Sequence, residues 1–100
     1  MSENKLRFTK KAISDLSEIW NYTFANWSEE QADIYYSALI TCCRNLTQNS
    51  SIMGWSYDRI LPGLRSIKCG HHIIFYNEDE NGIISVVRIL HEKMDLRRHR

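Results

Sequence analysis

The chain is 100 residues long, enough for one domain around one hydrophobic core and too short to include a separate cofactor-binding domain. Hydrophobic residues make up 43% of it and charged residues 25%, the proportions of an ordinary soluble globular protein. No apolar run is long enough for a secretory signal or a membrane span, so we expect residues 1–100 to form a single cytoplasmic domain with no membrane partner.

The first half of the sequence predicts a short strand followed by two helices. Residues 5–8 have the pattern of a strand, and the Thr9 side chain can cap the helix that follows. That helix carries an apolar stripe at steps of three and four residues, namely Ala12, Leu16, Ile19, Trp20, Thr23 and Phe24. A capping box with Ser28 as N-cap and Gln31 three residues later begins the second helix.

The second helix has a similar stripe, made of Ala32, Tyr35, Tyr36, Leu39, Cys43 and Leu46. Because the Trp and Tyr residues of the helices fall on the apolar side, they are predicted to be core and not a platform for stacking a ligand. The break between the helices is very short, which predicts that they pack as antiparallel neighbours. Polar residues 47–51 end the second helix, and an irregular stretch is expected from there to the turn at Pro62-Gly63.

The second half predicts a three-strand meander, with strands at residues 64–69, 71–77 and 83–90. Gly70 separates the first two strands, and Asn81-Gly82 is a strong hairpin signal between the second and the third. Two helices followed by a meander predict an α+β fold: an N-terminal strand and a helical hairpin packed on a small, mostly antiparallel sheet.

The central strand of the meander is apolar on both faces. Ile73 and Phe75 should lie on one face, and Ile74 and Tyr76 on the other. The helices can cover one face, so the second is expected to be covered by a partner protein or by the C-terminal segment. This pattern favours a protein whose function is an interaction.

The three cysteines are Cys42, Cys43 and Cys69. An odd number of cysteines without a secretory signal favours reduced thiols over a disulfide framework. Cys42 and Cys43 fall at the packed end of a helix, where a cysteine behaves as a small hydrophobe. Cys69 ends a strand beside Lys68, and the sequence offers it no base and orienting group of the kind a catalytic thiol needs.

The His71-His72 pair is the one hint of a metal site. Consecutive strand residues point to opposite faces, so the two imidazoles are not expected to chelate one ion. No His-x-x-x-His pattern, paired cysteines or convergent carboxylates support such a site either. We therefore predict no metal and no other cofactor.

Positive charge is concentrated towards the C-terminus. The net charge is +1, but residues 88–100 hold five Lys/Arg against two Asp/Glu. On the predicted sheet and after it lie the cationic candidates Arg65, Lys68, His71, His72, Arg88, His91 and Lys93. Such a set could stabilise a phosphodiester transition state or contact an acidic protein, and solvated cations on a sheet face are an equally ordinary reading.

Several segments resemble the ParE toxins of the RelE/ParE superfamily, in the right order and over nearly the whole chain. In the first half the resemblance lies in Phe8-Thr9 with Asp15-Leu16, and in Gln31-Ala32 with Tyr36. The second half is more specific, and its segments are Pro62-Gly63-Leu64-Arg65-Ser66, His72-Ile73-Ile74-Phe75-Tyr76 and Val87-Arg88-Ile89-Leu90-His91 with Met94-Asp95.

The resemblance implies a small non-enzymatic toxin that poisons DNA gyrase and is held inactive by a ParD-like antitoxin. The antitoxin would bind DNA through its N-terminal half and wrap the toxin with its C-terminal segment, so the toxin itself needs no sequence-specific nucleic-acid binding. The residues expected to contact target or antitoxin are Arg65, Arg88, Met94, Arg97, Arg98 and Arg100.

The other branch of the superfamily implies an alternative, an endoribonuclease that cuts messenger RNA on the ribosome. Its catalytic candidates here would be Arg65, Arg88, His91, Lys93 and His99. The chain departs from that branch at His72, where the ribonucleases commonly place an arginine. Glu92 and Asp95 add negative charge where a cationic cleavage site is expected. The departures favour binding over cleavage.

Overall fold

The structure, a computed structural model, describes residues 5–49, 55–56 and 61–93, without the side chains of Asn49 and Trp55. Two helices and five strands are present in these ranges. No helix there combines the length and the apolar composition that a membrane span requires.

The N-terminal half folds as the sequence predicts. Strand β1 (Leu6–Phe8) leads into helix α1 (Lys10–Asn26), and helix α2 (Glu29–Asn49) follows after a two-residue break. The Thr9 side chain accepts a hydrogen bond from the backbone N–H of Ala12 at 3.1 Å, and Ser28 accepts one from Gln31 at 3.1 Å. Each helix therefore begins at the cap predicted for it, because these hydroxyls satisfy N–H groups that have no partner within the helix.

The remaining strands are β2 (Trp55–Ser56), β3 (Arg65–Cys69), β4 (His72–Glu78) and β5 (Ile84–His91). They form one sheet in the order β1-β5-β4-β3-β2. β1 pairs with β5 in parallel, and the other pairs are antiparallel. The mostly antiparallel α+β fold is thus confirmed. Strand β2 was not predicted from the sequence. Two residues are too few to show an alternation of apolar and polar side chains, and the strand is defined by its pairing with β3.

The turn between β4 and β5 confirms the hairpin signal at Asn81-Gly82. The Asp79 carboxylate accepts hydrogen bonds from the backbone N–H groups of Asn81 and Ile83, at 2.8 and 2.9 Å. Gly82 has a φ of +81°, which glycine adopts without the steric strain that a side chain would bring.

Two apolar clusters lie on opposite faces of the sheet. The helix-side core joins both helices to the sheet and includes Ile74 and Tyr76, while the outer cluster is formed by Leu64, Phe75 and Leu90 with Ile73 and Val87 beside them. The predicted division of the central strand between two faces is confirmed. Leu64 and Phe75 are each 1% exposed, so the outer cluster is itself well covered. Coverage by an antitoxin or by the C-terminal segment remains a prediction.

The apolar stripes of the helices are confirmed only in part. Ala12, Leu16 and Ile19 of α1 are buried, but Phe24 is 50% exposed and Tyr36 of α2 is 38% exposed. Tyr22 of α1 is 68% exposed, so the prediction that the helical Trp and Tyr residues are core is wrong for Tyr22 and Tyr36. Phe24 stacks on the Trp20 ring at a centroid distance of 5.3 Å, and Tyr36 lines an open cavity with Leu6 and Phe8 of β1, so these rings are covered over only part of their surface.

Candidate functional site

A buried carboxylate on α1 ties that helix to the edge of β5. Asp15 accepts hydrogen bonds from Nε and Nη2 of Arg88 at 2.8 and 3.1 Å, and from the backbone N–H of Ile89 at 2.9 Å. β1 covers β5 only from Ile84 to Val86, so Asp15 satisfies a donor on the strand edge beyond β1. We call this arrangement the α1 tie, made of Asp15, Arg88 and Ile89.

The α1 tie shows that Arg88 is paired within the chain and is not a freely solvated cation. Its side chain is only 28% exposed, and the hydrogen bonds that it donates to Asp15 raise its pKa above the ordinary value. The guanidinium is therefore charged, oriented and neutralised within the protein. The expectation that Arg88 contacts a target or an antitoxin remains a prediction. Any such contact would involve a guanidinium that is already bound to Asp15. The sequence did not predict that Asp15 binds Arg88, although a carboxylate on the apolar side of α1 is a signal for a buried polar contact.

Tyr35 of α2 holds the turn between β3 and β4. Its hydroxyl accepts a hydrogen bond from the backbone N–H of His71 at 3.0 Å and lies 2.6 Å from Nδ1 of His72. Since the hydroxyl accepts from His71, its own proton is available to donate to His72. Gly70 packs directly on this ring, because a Cβ added there would lie 2.8 Å from Cε1 of Tyr35.

His72 is neutral at physiological pH. Burial lowers its pKa to about 4, and the neighbouring His91 and His71 act in the same direction. A neutral imidazole can accept the proton of Tyr35, whereas an imidazolium cannot. The His72–Tyr35 hydrogen bond therefore joins α2 to β4 without charge.

The imidazoles of His71, His72 and His91 converge, contrary to the expectation that the first two point apart. β4 begins at His72, so His71 lies in the turn and the alternation of strand side chains does not apply to it. The ring centroids of His71 and His72 lie 6.4 and 5.3 Å from that of His91. Even so, within the described residues no group of three or more His, Cys, Asp or Glu is arranged to hold a metal ion.

An open groove runs along these imidazoles. It consists of two cavities, of about 380 Å³ and about 270 Å³, which share Tyr22, His72 and His91. We call it the histidine groove, lined on its aromatic and imidazole side by Tyr22, Trp27, Tyr35, His71, His72 and His91. Trp27 is 75% exposed at its rim. The groove thus presents flat rings beside the charged side chains of Asp15, Glu18 and Arg88.

Glu92 contacts two further members of the cationic set. Its carboxylate lies 2.8 Å from Nζ of Lys68 and 3.0 Å from Nδ1 of His71. These hydrogen bonds, first from Lys68 and then from His71, lower the Glu92 pKa to about 2. Sequence reasoning treated Glu92 only as a departure from the ribonuclease pattern and missed that it binds Lys68.

The other candidate residues lie apart from one another. Arg65 is half-buried on β3, and its side chain hydrogen-bonds Tyr76, whose pKa is raised chiefly by burial. Lys93 is exposed just after β5, and its backbone N–H donates to Nδ1 of His91 at 3.1 Å. Met94, Arg97, Arg98, His99 and Arg100 lie outside the described residues.

The prediction of reduced thiols is wrong for two of the three cysteines. Cys42 of α2 and Cys69 of β3 form a disulfide, with a Cα–Cα distance of 6.6 Å. The residues are 27 positions apart in sequence, and only the packing of α2 on β3 brings their sulfur atoms together. Cys43 is a free, fully buried cysteine, and burial raises its pKa to about 12. It behaves as the small hydrophobe that was predicted.

The sequence matches the family described as "ParE toxin of type II toxin-antitoxin system, parDE" over residues 6–96. It is similar to toxin ParE1 of Mycobacterium tuberculosis, with 38% identity over 88 residues that make up 88% of this chain and 89% of that protein. Toxin ParE1 of Caulobacter vibrioides is 29% identical over 93 residues, which are 93% of this chain and 94% of that protein.

Solved structures agree on the fold. A chain of the chromosomal ParDE toxin–antitoxin system from P. aeruginosa has a TM-score of 0.75 at 20% identity, covering 87% of this chain and 94% of that chain. The RelBE2 toxin–antitoxin complex from Mycobacterium tuberculosis has a TM-score of 0.65 at 20% identity, covering 87% and 95%. The likeness to both branches shows a shared fold, while the family match covers most of the chain. The chain therefore belongs to the ParE toxin family of type II toxin–antitoxin systems.

Proposed function

We propose that this toxin poisons DNA gyrase by protein–protein contact and is neutralised by a ParD-like antitoxin in the cytoplasm. The gyrase target and the ParD-like partner follow from the resemblance to ParE toxins. The chain's own geometry supports the part of the proposal that concerns mechanism, namely contact without cleavage.

The supporting observation is that two cations of the sheet, Arg88 and Lys68, are already paired with carboxylates. Arg88 is bound by Asp15 and Lys68 by Glu92. His72 has a pKa of about 4 and so carries no charge at neutral pH. Cleavage of a phosphodiester needs an acid–base group poised near neutral pH and cations aimed at the phosphate. Neutralised cations and exposed rings are better suited to contact with a protein surface.

An antitoxin partner is supported by the structural likeness, since both solved neighbours are described as toxin–antitoxin systems or complexes. We propose that an acidic, amphipathic antitoxin segment places carboxylates near Arg65, Arg88 and the arginines of the C-terminal tail. The apolar residues of the antitoxin segment would pack on Ile73 and Val87 of the outer cluster, which are half-buried in the chain alone. Apolar burial would supply much of the affinity, and the charges mainly the specificity.

A supercoiling assay with purified DNA gyrase tests the mechanism. The intact toxin should block supercoiling or accumulate cleaved DNA, and changing Arg97, Arg98 and Arg100 together to Ala should abolish the effect. A matched control changes Lys5, Lys10 and Lys11 to Ala, since these are three exposed cations at the other end of the chain. An intact toxin without effect at large molar excess would rule out gyrase poisoning.

One observation favours a second candidate, a ribosome-dependent messenger RNA endoribonuclease. The convergence of three imidazoles with the hydroxyl of Tyr35 provides groups that can transfer protons. For this candidate, Arg65 and Arg88 would stabilise the negative charge of the phosphodiester transition state. His91, Lys93 or His99 would act as general acid and base. Primer extension on ribosome-bound messenger RNA would show cuts at codon-related positions if this candidate is correct.

A further inference from the structure

The disulfide between Cys42 and Cys69 is placed where it can govern how α2 sits on the sheet. Cys42 lies two helical turns after Tyr35, so both residues project from the same side of α2. Tyr35 binds the turn between β3 and β4 by hydrogen bonds, and Cys42 binds the end of β3 covalently. The two contacts together hold α2 against the β3–β4 hairpin.

The surroundings of the disulfide suit a bond that can open. Cys42 is half-buried, whereas Cys69 is only 9% exposed, so an incoming thiolate should attack Cys42 in preference to Cys69. After reduction, the Cys69 thiol would have a hydrogen-bond acceptor nearby, because its sulfur lies 3.7 Å from the carbonyl oxygen of Ala38. At that distance a thiol can donate a weak hydrogen bond. The Cys69 thiol of the reduced state therefore has an acceptor for its proton.

The fold has other support besides the disulfide. Both helices contribute buried residues to the helix-side core, including Leu16 and Ile19 of α1 and Leu39 and Leu46 of α2. Cys43 is fully buried in that core and is protected from exchange with its neighbour Cys42. Both redox states should consequently fold, with α2 held less firmly in the reduced one.

We propose that Cys42–Cys69 is a reversible redox site that reacts with dithiols. One thiolate of the dithiol attacks the Cys42 sulfur, the Cys42–Cys69 bond breaks, and Cys69 leaves as a thiolate that takes up a proton. The second thiolate of the dithiol then displaces the Cys42 thiolate, which is protonated in turn. Two electrons pass from the dithiol to the protein, and the dithiol becomes a disulfide. The reverse reaction with an oxidised dithiol restores the bond.

Counting thiols measures the state of the site. The purified full chain is equilibrated with reduced or oxidised dithiothreitol, unfolded at low pH, alkylated and weighed by mass spectrometry. The oxidised chain should carry one alkyl group, on Cys43, and the reduced chain three. Circular dichroism should show both forms folded at 25 °C, with the reduced form melting roughly 10–20 °C lower because its unfolded chain is no longer cross-linked.

Two variants separate the site from general effects of the reductant. Cys42→Ser combined with Cys69→Ser should melt near the reduced wild type and should not respond to dithiothreitol. Cys43→Ala should keep the full response. Three thiols after equilibration with oxidised dithiothreitol, equal melting temperatures in both states, or a reduced chain that does not fold would each overturn the proposal. None of these measurements depends on the target of the toxin.

Discussion

The two helices are joined to the same sheet by different chemistry. The α1 tie is ionic, with the Asp15 carboxylate binding the Arg88 guanidinium and the backbone of Ile89. The α2 attachment, which we call the α2 tie, consists of the Tyr35–His72 hydrogen bond, the Tyr35–His71 hydrogen bond and the Cys42–Cys69 disulfide. It holds no buried charge.

The difference predicts where the molecule can respond to its surroundings. A raised pKa keeps the Arg88 guanidinium of the α1 tie charged throughout the physiological range. The α2 tie depends on a neutral imidazole and a reducible bond, so acid and dithiols should both weaken it. The histidine groove is lined by residues from both ties, including Asp15 and Tyr35. Its α1 side should be constant in shape, while its α2 side can adjust.

The largest effect is expected from breaking the α1 tie. Asp15→Ala leaves the half-buried Arg88 without its carboxylate and should lower the free energy of unfolding by about 3 kcal/mol. Urea unfolding measures the change. Glu18→Ala removes an exposed carboxylate from the same helix and should change the free energy by about 0.5 kcal/mol or less. Equal losses in the two variants would show that the α1 tie does not hold the helix.

Gly70→Ala tests the α2 tie through its backbone turn. Gly70 has a φ of +61°, and the new Cβ would lie 2.8 Å from the Tyr35 ring, so we expect a loss of about 2 kcal/mol or more in the free energy of unfolding. Gly63→Ala is the matched control, because Gly63 has a φ of +80° but its Cβ would meet no atom within 4 Å. That variant should lose about 1 kcal/mol, from backbone strain alone. Similar losses in both would mean that contact with Tyr35 is unimportant.

The smallest effect is the acid response of the α2 tie. His72 takes up a proton near pH 6.5 in the unfolded chain, and burial lowers its pKa to about 4 in the folded protein. Between these values the unfolded chain binds more protons, so the free energy of unfolding should decrease as the pH falls from 6.5 towards 4. Because the ring is only half-buried, the decrease should be on the order of 1 kcal/mol.

The control for this response is His72→Gln, which removes the titrating group and keeps an acceptor for Tyr35. Its stability should change less than that of the wild type over the same pH interval. A slope that is unchanged in His72→Gln would assign the acid response to other groups. Asp15→Ala should not remove the slope, since the Asp15 carboxylate raises the His72 pKa and its loss leaves the other causes of the low pKa in place.

The caps, the strand pattern and the helix pattern could be read from the sequence because they depend on near neighbours. Thr9 caps a helix through Ala12, three residues away, and Ile74 and Tyr76 share a face through alternation along one strand. The exposed Phe24 and Tyr36 mark the limit of such reading. The periodicity of a helix predicts which of its sides is apolar. It does not predict which residues on that side the rest of the fold covers.

The sequence by itself determined the α+β architecture and the likeness to ParE toxins, because both rest on local patterns in a set order. Only the tertiary structure decided the partners of Arg88, His72 and Cys69. Asp15 and Ile89 are 74 positions apart, Tyr35 and His72 are 37 apart, and Cys42 and Cys69 are 27 apart. No periodicity relates residues at such separations. Strand order and helix packing bring them together, and those depend on burying both apolar faces at once.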